Sequence, residues 1–165
     1  MLRIIASAGF DSVWYWALHV VVWTLICYRT LGVPHDMLIR ARRDETAAER
    51  VELLAGLSAE RIAGINELAG VPLAAVAGFV LAALAALGFL TGLEGAQAAF
   101  MILAPLAAIT YSKLRLALFL RGRRVQRPWL VLMLSRRRFW HQTIAVAAML
   151  AAAAVAWSLH PPRPI

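Results

Sequence analysis

Long apolar runs separated by charged segments dominate the pattern along this chain. Four runs predict membrane-spanning helices, over about 12–31, 71–93, 96–112 and 142–159. The run 71–93 carries no charge, and at about 1.5 Å per helical residue it covers a hydrocarbon core of roughly 30 Å. The pattern therefore predicts an all-α integral membrane protein with four transmembrane helices, forming a single membrane domain over 1–165.

The two charged segments, 32–70 and 113–141, predict structure outside the hydrocarbon core. In the first, apolar residues recur at helical spacing among charges of both signs. This predicts an amphipathic helical hairpin whose two helices are separated near Gly56, with Ser58 capping the second helix. In the second segment, Gly122 and Pro128 predict a break before the last helix.

Small residues on the second span predict a surface for close helix packing. Ala74, Gly78 and Ala82 recur every four positions, and Gly88 and Gly92 form a G-x-x-x-G pair. Residues at this spacing share one helix face and allow another helix to approach closely. We expect this face to meet the fourth span, in which small residues have the same spacing, at Ala148, Ala152 and Ala156.

The first span is rich in aromatic residues, with Trp14, Trp16 and Trp23 among them. Aromatic side chains are enriched at the hot spots of interfaces. We therefore expect this span, together with the hairpin 35–70, to bind a partner protein. Replacing Gly78 with Leu should then lower stability, whereas Trp23→Ala should weaken complex recovery and leave stability nearly unchanged.

The composition supports a membrane protein and its orientation. Hydrophobic residues make up 62% of the chain and charged residues 16%, against about 45–50% and 25% in soluble domains. Of the 17 Lys and Arg, six lie in 29–70 and nine in 113–138. Under the positive-inside rule both segments face the cytoplasm of a bacterium, in a multi-pass inner-membrane protein with periplasmic termini. The net charge of +8 does not indicate nucleic acid binding, because the chain lacks a basic stripe with an aromatic platform.

His19 is the clearest ionisable residue inside a span, and such residues are functional candidates by default. Its imidazole could ligate a tetrapyrrole, or remain neutral and bond a neighbouring helix. The lone Cys27 offers no disulfide, and no His or Cys cluster indicates a metal site. No catalytic motif occurs, so no enzyme activity and no bound cofactor are expected.

Three consecutive arginines, Arg136, Arg137 and Arg138, precede the fourth span beside Trp140. Such a cluster can bind the anionic headgroups of lipids. A topogenic role, in which the arginines only fix the orientation of the span, explains the cluster equally well. The expected partners are therefore the lipid bilayer and other inner-membrane subunits.

The chain also resembles a group of small inner-membrane proteins of alphaproteobacteria. The resemblance lies in the aromatic first span, the L-G-V-P-x-D-M turn at 31–37, the R-x-R-R at 40–43 and the stretch 137–142. Members often carry a label that links them to the Suf iron–sulfur assembly complex. The resemblance implies membrane topology and no particular functional residue.

These observations favour a non-catalytic accessory, stabilising or assembly subunit of a larger respiratory or photosynthetic inner-membrane complex. The alternatives are a tetrapyrrole-binding or small transport membrane protein, or a membrane partner of iron–sulfur cluster assembly.

Overall fold

Five α-helices carry nearly all of the structure in the computed structural model, which describes residues 9–123 and 125–159. The predicted all-α class is confirmed. Two short strands pair antiparallel after the first helix, and a π-helical turn, Ala86–Leu90, follows the third. In chain order the elements are α1 Val13–Tyr28, β1 Arg29–Thr30, β2 Val33–Pro34, α2 His35–Arg40, α3 Glu45–Ala85, α4 Glu94–Leu120 and α5 Arg127–Leu159.

Three helices in the described ranges are long and apolar enough to cross a membrane. They are α3 with its π turn, α4 and α5. α1 is apolar but has only 16 residues, about 24 Å of helix. Both chain termini, for which a periplasmic position is predicted, lie outside the described residues.

A tight turn joins α1 to α2. Leu31 and Gly32 have φ values of 50° and 77°, and β1 and β2 flank them. Two successive positive φ angles are typical of a type I′ hairpin turn. Gly32 also approaches the hydroxyl of Ser58 so closely that no side chain would fit. The turn therefore holds β2 and α2 against α3 near Ser58.

α3 is one continuous helix, so the predicted break near Gly56 is wrong. Its N-cap is Asp44, whose carboxylate accepts the Thr46 N–H at 2.9 Å, and Ser58 caps nothing. A row of small apolar residues at four-residue spacing buries one face, namely Ala47, Val51, Ala55, Ala59 and Ala63. Gly56 costs a helix only about 1 kcal/mol relative to Ala, which this burial outweighs. The segment 35–70 is therefore a six-residue helix and the first half of α3.

α3 and α4 are antiparallel neighbours, as the short link between them predicts. Near the link, the Gln97 amide donates to the carbonyl of Gly88 at 2.7 Å. At the far end Arg121 forms an ion pair with Glu67. Gly92 has a φ of 73° and lies after the π turn, so Gly88 and Gly92 do not share a helix face and the predicted G-x-x-x-G pair is not formed.

α5 begins against the first turns of α3. The guanidinium of Arg127 contacts the carboxylates of Glu45, Glu49 and Glu52 at 3.1, 3.2 and 2.9 Å. Below these ion pairs, Leu130, Val131 and Leu134 join a hydrophobic core with the buried face of α3 and the end of α4. The run 129–134 therefore lies in the first turns of the last helix, which continues through Ser135 as α-helix.

α1 packs along α4 and α5 through one stripe of buried residues, Tyr15, His19 and Trp23. Tyr15 clusters with Ala98, Ile102 and Ala152, and Trp23 with Ile109, Ala145 and Ala148. α1 therefore runs parallel to α4 and antiparallel to α5. The end of the bundle at Lys113 and Arg136–Arg138 is called the basic end below.

Candidate functional site

His19 is enclosed by aromatic rings in the middle of α1. It is 0% exposed, and its ring centroid lies 5.3 Å from that of Tyr15, 6.1 Å from that of Trp16 and 6.0 Å from that of Trp23. Neither ring nitrogen has a hydrogen-bond partner, and the Tyr15 hydroxyl and Trp23 indole N–H also lack one. The side chains of this helix thus place several unsatisfied polar atoms inside an apolar interior.

The surroundings of His19 do not fit a tetrapyrrole. Axial ligation requires an imidazole nitrogen that faces space for the macrocycle. Both nitrogens of His19 are covered by protein atoms, so a macrocycle could reach them only if α1 separated from α4 and α5. Within the described residues no group of three or more His, Cys, Asp and Glu is arranged for a metal ion.

The three tryptophans predicted to bind a partner have different environments. Trp14 is 83% exposed, whereas Trp23 is only 4% exposed and packs against Ile109, Ala145 and Ala148. Trp16 is half-buried, and its indole N–H donates to the carbonyl of Phe10 at 2.9 Å. Trp23 is therefore an internal packing residue in this structure and presents no surface to a partner.

The small residues of α3 predicted to meet the fourth span are instead uncovered. Ala74, Gly78 and Ala82 are exposed, and a side chain added at Gly78 would find no atom within 4 Å. Gly88 does approach another helix closely, but that helix is α4 at Gln97. The predicted contact between α3 and the fourth span through this face is therefore wrong.

The small residues of α5 receive the aromatic rings of α1. Ala148 packs in the cluster of Trp23, while Ala152 and Ala156 pack in the cluster of Phe10 and Tyr15. Large rings on one helix thus fill the space that small residues leave on the other, which is the usual requirement of a dense interior. The groove was predicted correctly, but its occupant is α1.

α3 carries an apolar stripe of exposed residues, which lies opposite the buried row Ala47 to Ala63 in the first half of the helix and continues through 71–80, where every residue is exposed. Leu53 and Val71 are about five turns apart at roughly 3.6 residues per turn, so these two residues point the same way. The same holds for Gly64 and Ala82. All members of the stripe are exposed, with Leu57 at 57% and Leu68 at 89%. We call this surface the outward stripe; it comprises Leu53, Leu57, Gly64, Leu68, Val71, Ala75, Gly78 and Ala82.

A second surface feature is a basic cleft of about 490 Å³ between α4 and α5 at the basic end. None of its described lining residues is acidic. The guanidinium of Arg137 donates to the Ser112 hydroxyl at 2.5 Å, and His141 Nε2 lies 3.4 Å from the same oxygen. The lining residues are Ser112 from α4 and, from α5, Met133, Arg136, Arg137, Trp140, His141 and Ile144.

Arg138 is not part of the lining of this cleft, and its positive charge acts on His35, at the start of α2. Burial of the His35 ring lowers the pKa of that histidine, and the positive charge of Arg138 lowers it further. Of the three arginines predicted to bind headgroups, Arg136 and Arg137 therefore share a site and Arg138 does not.

Sequence reasoning missed Gln97, Ser112 and His141. Gln97 and Ser112 stand out as polar residues at the two ends of the otherwise apolar run 96–112. Their polarity could be read from the sequence. Their partners, Gly88 and Arg137, come from other helices and could not.

No known protein family matches this chain, and no curated protein or solved structure shows significant similarity to it. The resemblance to alphaproteobacterial inner-membrane proteins, and the link to iron–sulfur assembly that it implies, therefore stay predictions.

Proposed function

We propose that this chain is a non-catalytic accessory subunit of a bacterial inner-membrane complex, and that the outward stripe of α3 packs against a long helix of another membrane protein. The observation that carries the proposal is the stripe itself. Its members extend over 30 residues of one helix, about 44 Å, and in the first half of that helix they lie opposite the core. This length exceeds the hydrocarbon core of a membrane, roughly 30 Å.

We propose a topology with four spans, in which α1 crosses the membrane in addition to α3, α4 and α5. α1 is short, but its buried stripe lies beside the apolar parts of α4 and α5 over its whole length. Both basic segments face the cytoplasm and both termini the periplasm, because the positive-inside rule favours this orientation. The first half of α3, rich in Glu and Arg, then extends into the cytoplasm.

Lipid can cover the outward stripe only in part. Leu53, Leu57 and Leu68 are exposed among the charged residues of the first half of α3, where water surrounds the helix. Exposed apolar patches of this kind mark interaction sites for other proteins. In the second half, Ala75, Gly78 and Ala82 leave room for the backbone of another helix, and close packing of this kind drives helix association in membranes. A single long partner helix satisfies both halves.

The alternative of a tetrapyrrole-binding protein has less support, because the nitrogens of His19 are covered. A transporter needs polar groups at mid-membrane or broken helices around a substrate. The apolar stretches of α3, α4 and α5 contain Pro72, Pro105 and the π turn Ala86–Leu90, but no unwound segment within the described residues.

Photocrosslinking in native membranes tests the proposal. A benzophenone amino acid is introduced at Leu57 or Gly78 on the stripe, and at the exposed Ile65 or Val76 beside it as matched controls. We expect one discrete adduct with a second membrane protein from the stripe positions and much less from the controls. Gly78→Leu should reduce the adduct formed from Leu57, and Val76→Leu should not.

Two results would contradict the proposal. Equal adducts from the stripe and the control positions would mean that α3 has no preferred face. An adduct whose partner is a second copy of this chain would replace the accessory subunit with a homo-oligomer.

A further inference from the structure

The basic cleft lies on α4 and α5 and shares no residue with the outward stripe, so the proposed partner interface does not account for it. Its cationic groups are Arg136 and Arg137. Within the described residues, the carboxylates that form ion pairs do so with Arg121 and Arg127, and none of them pairs with these two arginines. Among the described residues, no carboxylate therefore lies within ion-pair distance of the two positive charges in the cleft.

The guanidinium of Arg137 is held in place before any ligand binds. One nitrogen donates to the hydroxyl of Ser112 at 2.5 Å and also lies 3.4 Å from the Ser112 carbonyl oxygen. A guanidinium carries five N–H donors in a fixed plane, so several donors remain for an anion. Holding the group in advance reduces the entropy lost when a ligand binds.

His141 adds a polar atom without a partner. It is 1% exposed and lines the cleft, yet its Nδ1 has no hydrogen bond. A buried polar atom of this kind costs free energy until a partner satisfies it. Like the nitrogens of His19, this atom is covered by protein atoms, so His141 forms part of the cleft wall and offers a ligand no hydrogen bond through Nδ1.

The rest of the lining is apolar and leads toward the apolar part of α5. Met133 and Ile144 line the cleft, and the exposed Ala147 and Ala151 continue the face of Ile144. Trp140 lies at the transition between the arginines and the apolar residues, the depth at which aromatic side chains meet lipid headgroups. A free phosphate would use the charges but not this apolar path.

We infer that the basic cleft binds an anionic glycerophospholipid, with its phosphate between Arg136 and Arg137 and an acyl chain along Ile144, Ala147 and Ala151. Basic pockets between transmembrane helices on the cytoplasmic side bind anionic headgroups in this way. The volume of about 490 Å³ lies within the range of small-molecule sites.

The test uses the full chain purified in a non-ionic detergent and native mass spectrometry. The probes are phosphatidylglycerol, phosphatidylcholine and millimolar inorganic phosphate. We expect one phosphatidylglycerol to remain bound per chain, in clear preference to phosphatidylcholine. The double substitution Arg136→Gln with Arg137→Gln should weaken that binding about tenfold or more, because each cation near a membrane surface contributes roughly fivefold.

The matched control is Arg42→Gln with Arg43→Gln, an exposed adjacent pair outside the cleft, which should leave the preference unchanged. Three results would overturn the inference: retention of the preference in the cleft variant, an equal loss in the control, or displacement of the lipid by inorganic phosphate. If circular dichroism shows that the double variant is unfolded, Arg136→Gln alone carries the same test, because Arg136 is exposed.

Discussion

Several side chains of α1 bury polar atoms that have no hydrogen-bond partner. Tyr15, His19 and Trp23 lie on one stripe, and each has at least one buried polar atom without a partner. Their rings nevertheless fill the space above the alanines of α5. Burial of aromatic area therefore holds α1 in place, against the cost of the unsatisfied atoms.

Trp23 lies on an internal surface and Gly78 on an external one, so substitutions at the two positions should affect stability differently. Trp23→Ala removes a buried indole that packs against α4 and α5, and we expect a loss of about 3–5 kcal/mol in the free energy of unfolding. Gly78→Leu should not lower it, since open space surrounds this position and Leu favours a helix over Gly by up to about 1 kcal/mol. Thermal unfolding of the purified variants in detergent measures both.

The opposite pair of results would contradict this account. A stable Trp23→Ala variant together with a destabilised Gly78→Leu variant would show that α3 packs inward through its small residues and that α1 faces outward.

At the scale of elements, the continuity of α3 determines which surface of this helix is exposed to a partner. A hairpin in 35–70 would fold the apolar positions of this segment onto each other. One continuous helix instead buries the row Ala47 to Ala63 on one side of its first half and leaves the outward stripe exposed. The stripe exists because the helix does not end at Gly56.

Gly56→Ala tests this continuity. Gly56 lies within the helix, and an added methyl group would find no atom within 4 Å. We therefore expect the substitution to raise the free energy of unfolding by about 0.5–1 kcal/mol, because Ala loses less conformational entropy than Gly in a helix. Chemical denaturation followed by circular dichroism measures the change. A decrease would indicate that Gly56 ends a helix.

The sequence predicted the elements better than their contacts. Charge-free length identifies apolar helices such as 71–93, and the short link at Glu94 requires antiparallel neighbours. Which face of each helix turns inward could not be predicted in the same way, because lipid and protein interior are both apolar and a Trp or Gly is compatible with either. Trp23 and Gly78 were therefore assigned to the wrong sides.

Gly56 shows a second limit of sequence reasoning. The local preference of one glycine against the helix is small, and the burial of Ala55 and Ala59 against α4 and α5 overrides it. That burial depends on residues more than 50 positions away in the chain, such as Leu116 and Leu134. The run of three arginines could be read from the sequence, but not that two of them line one cleft or that Arg137 donates to Ser112.

At the scale of the whole molecule, two of the surfaces that the described helices leave uncovered carry the proposals made above. The outward stripe runs the length of α3, and the basic cleft opens between α4 and α5 at the end that the charge distribution assigns to the cytoplasm. One suits a protein helix and the other a lipid. This arrangement is what we expect of a subunit embedded in a larger membrane complex.

Cysteine accessibility in native membranes tests the central claim most directly, which is that another protein covers the outward stripe. Cys27, the only cysteine of the chain, is first replaced with Ala, and Leu57→Cys or the control Ile65→Cys is added. A membrane-impermeant maleimide is applied to inverted membrane vesicles and to the purified protein. The account predicts that Leu57→Cys is labelled when purified but protected in vesicles, while Ile65→Cys is labelled in both. Equal labelling of Leu57→Cys in vesicles and in the purified protein would contradict it.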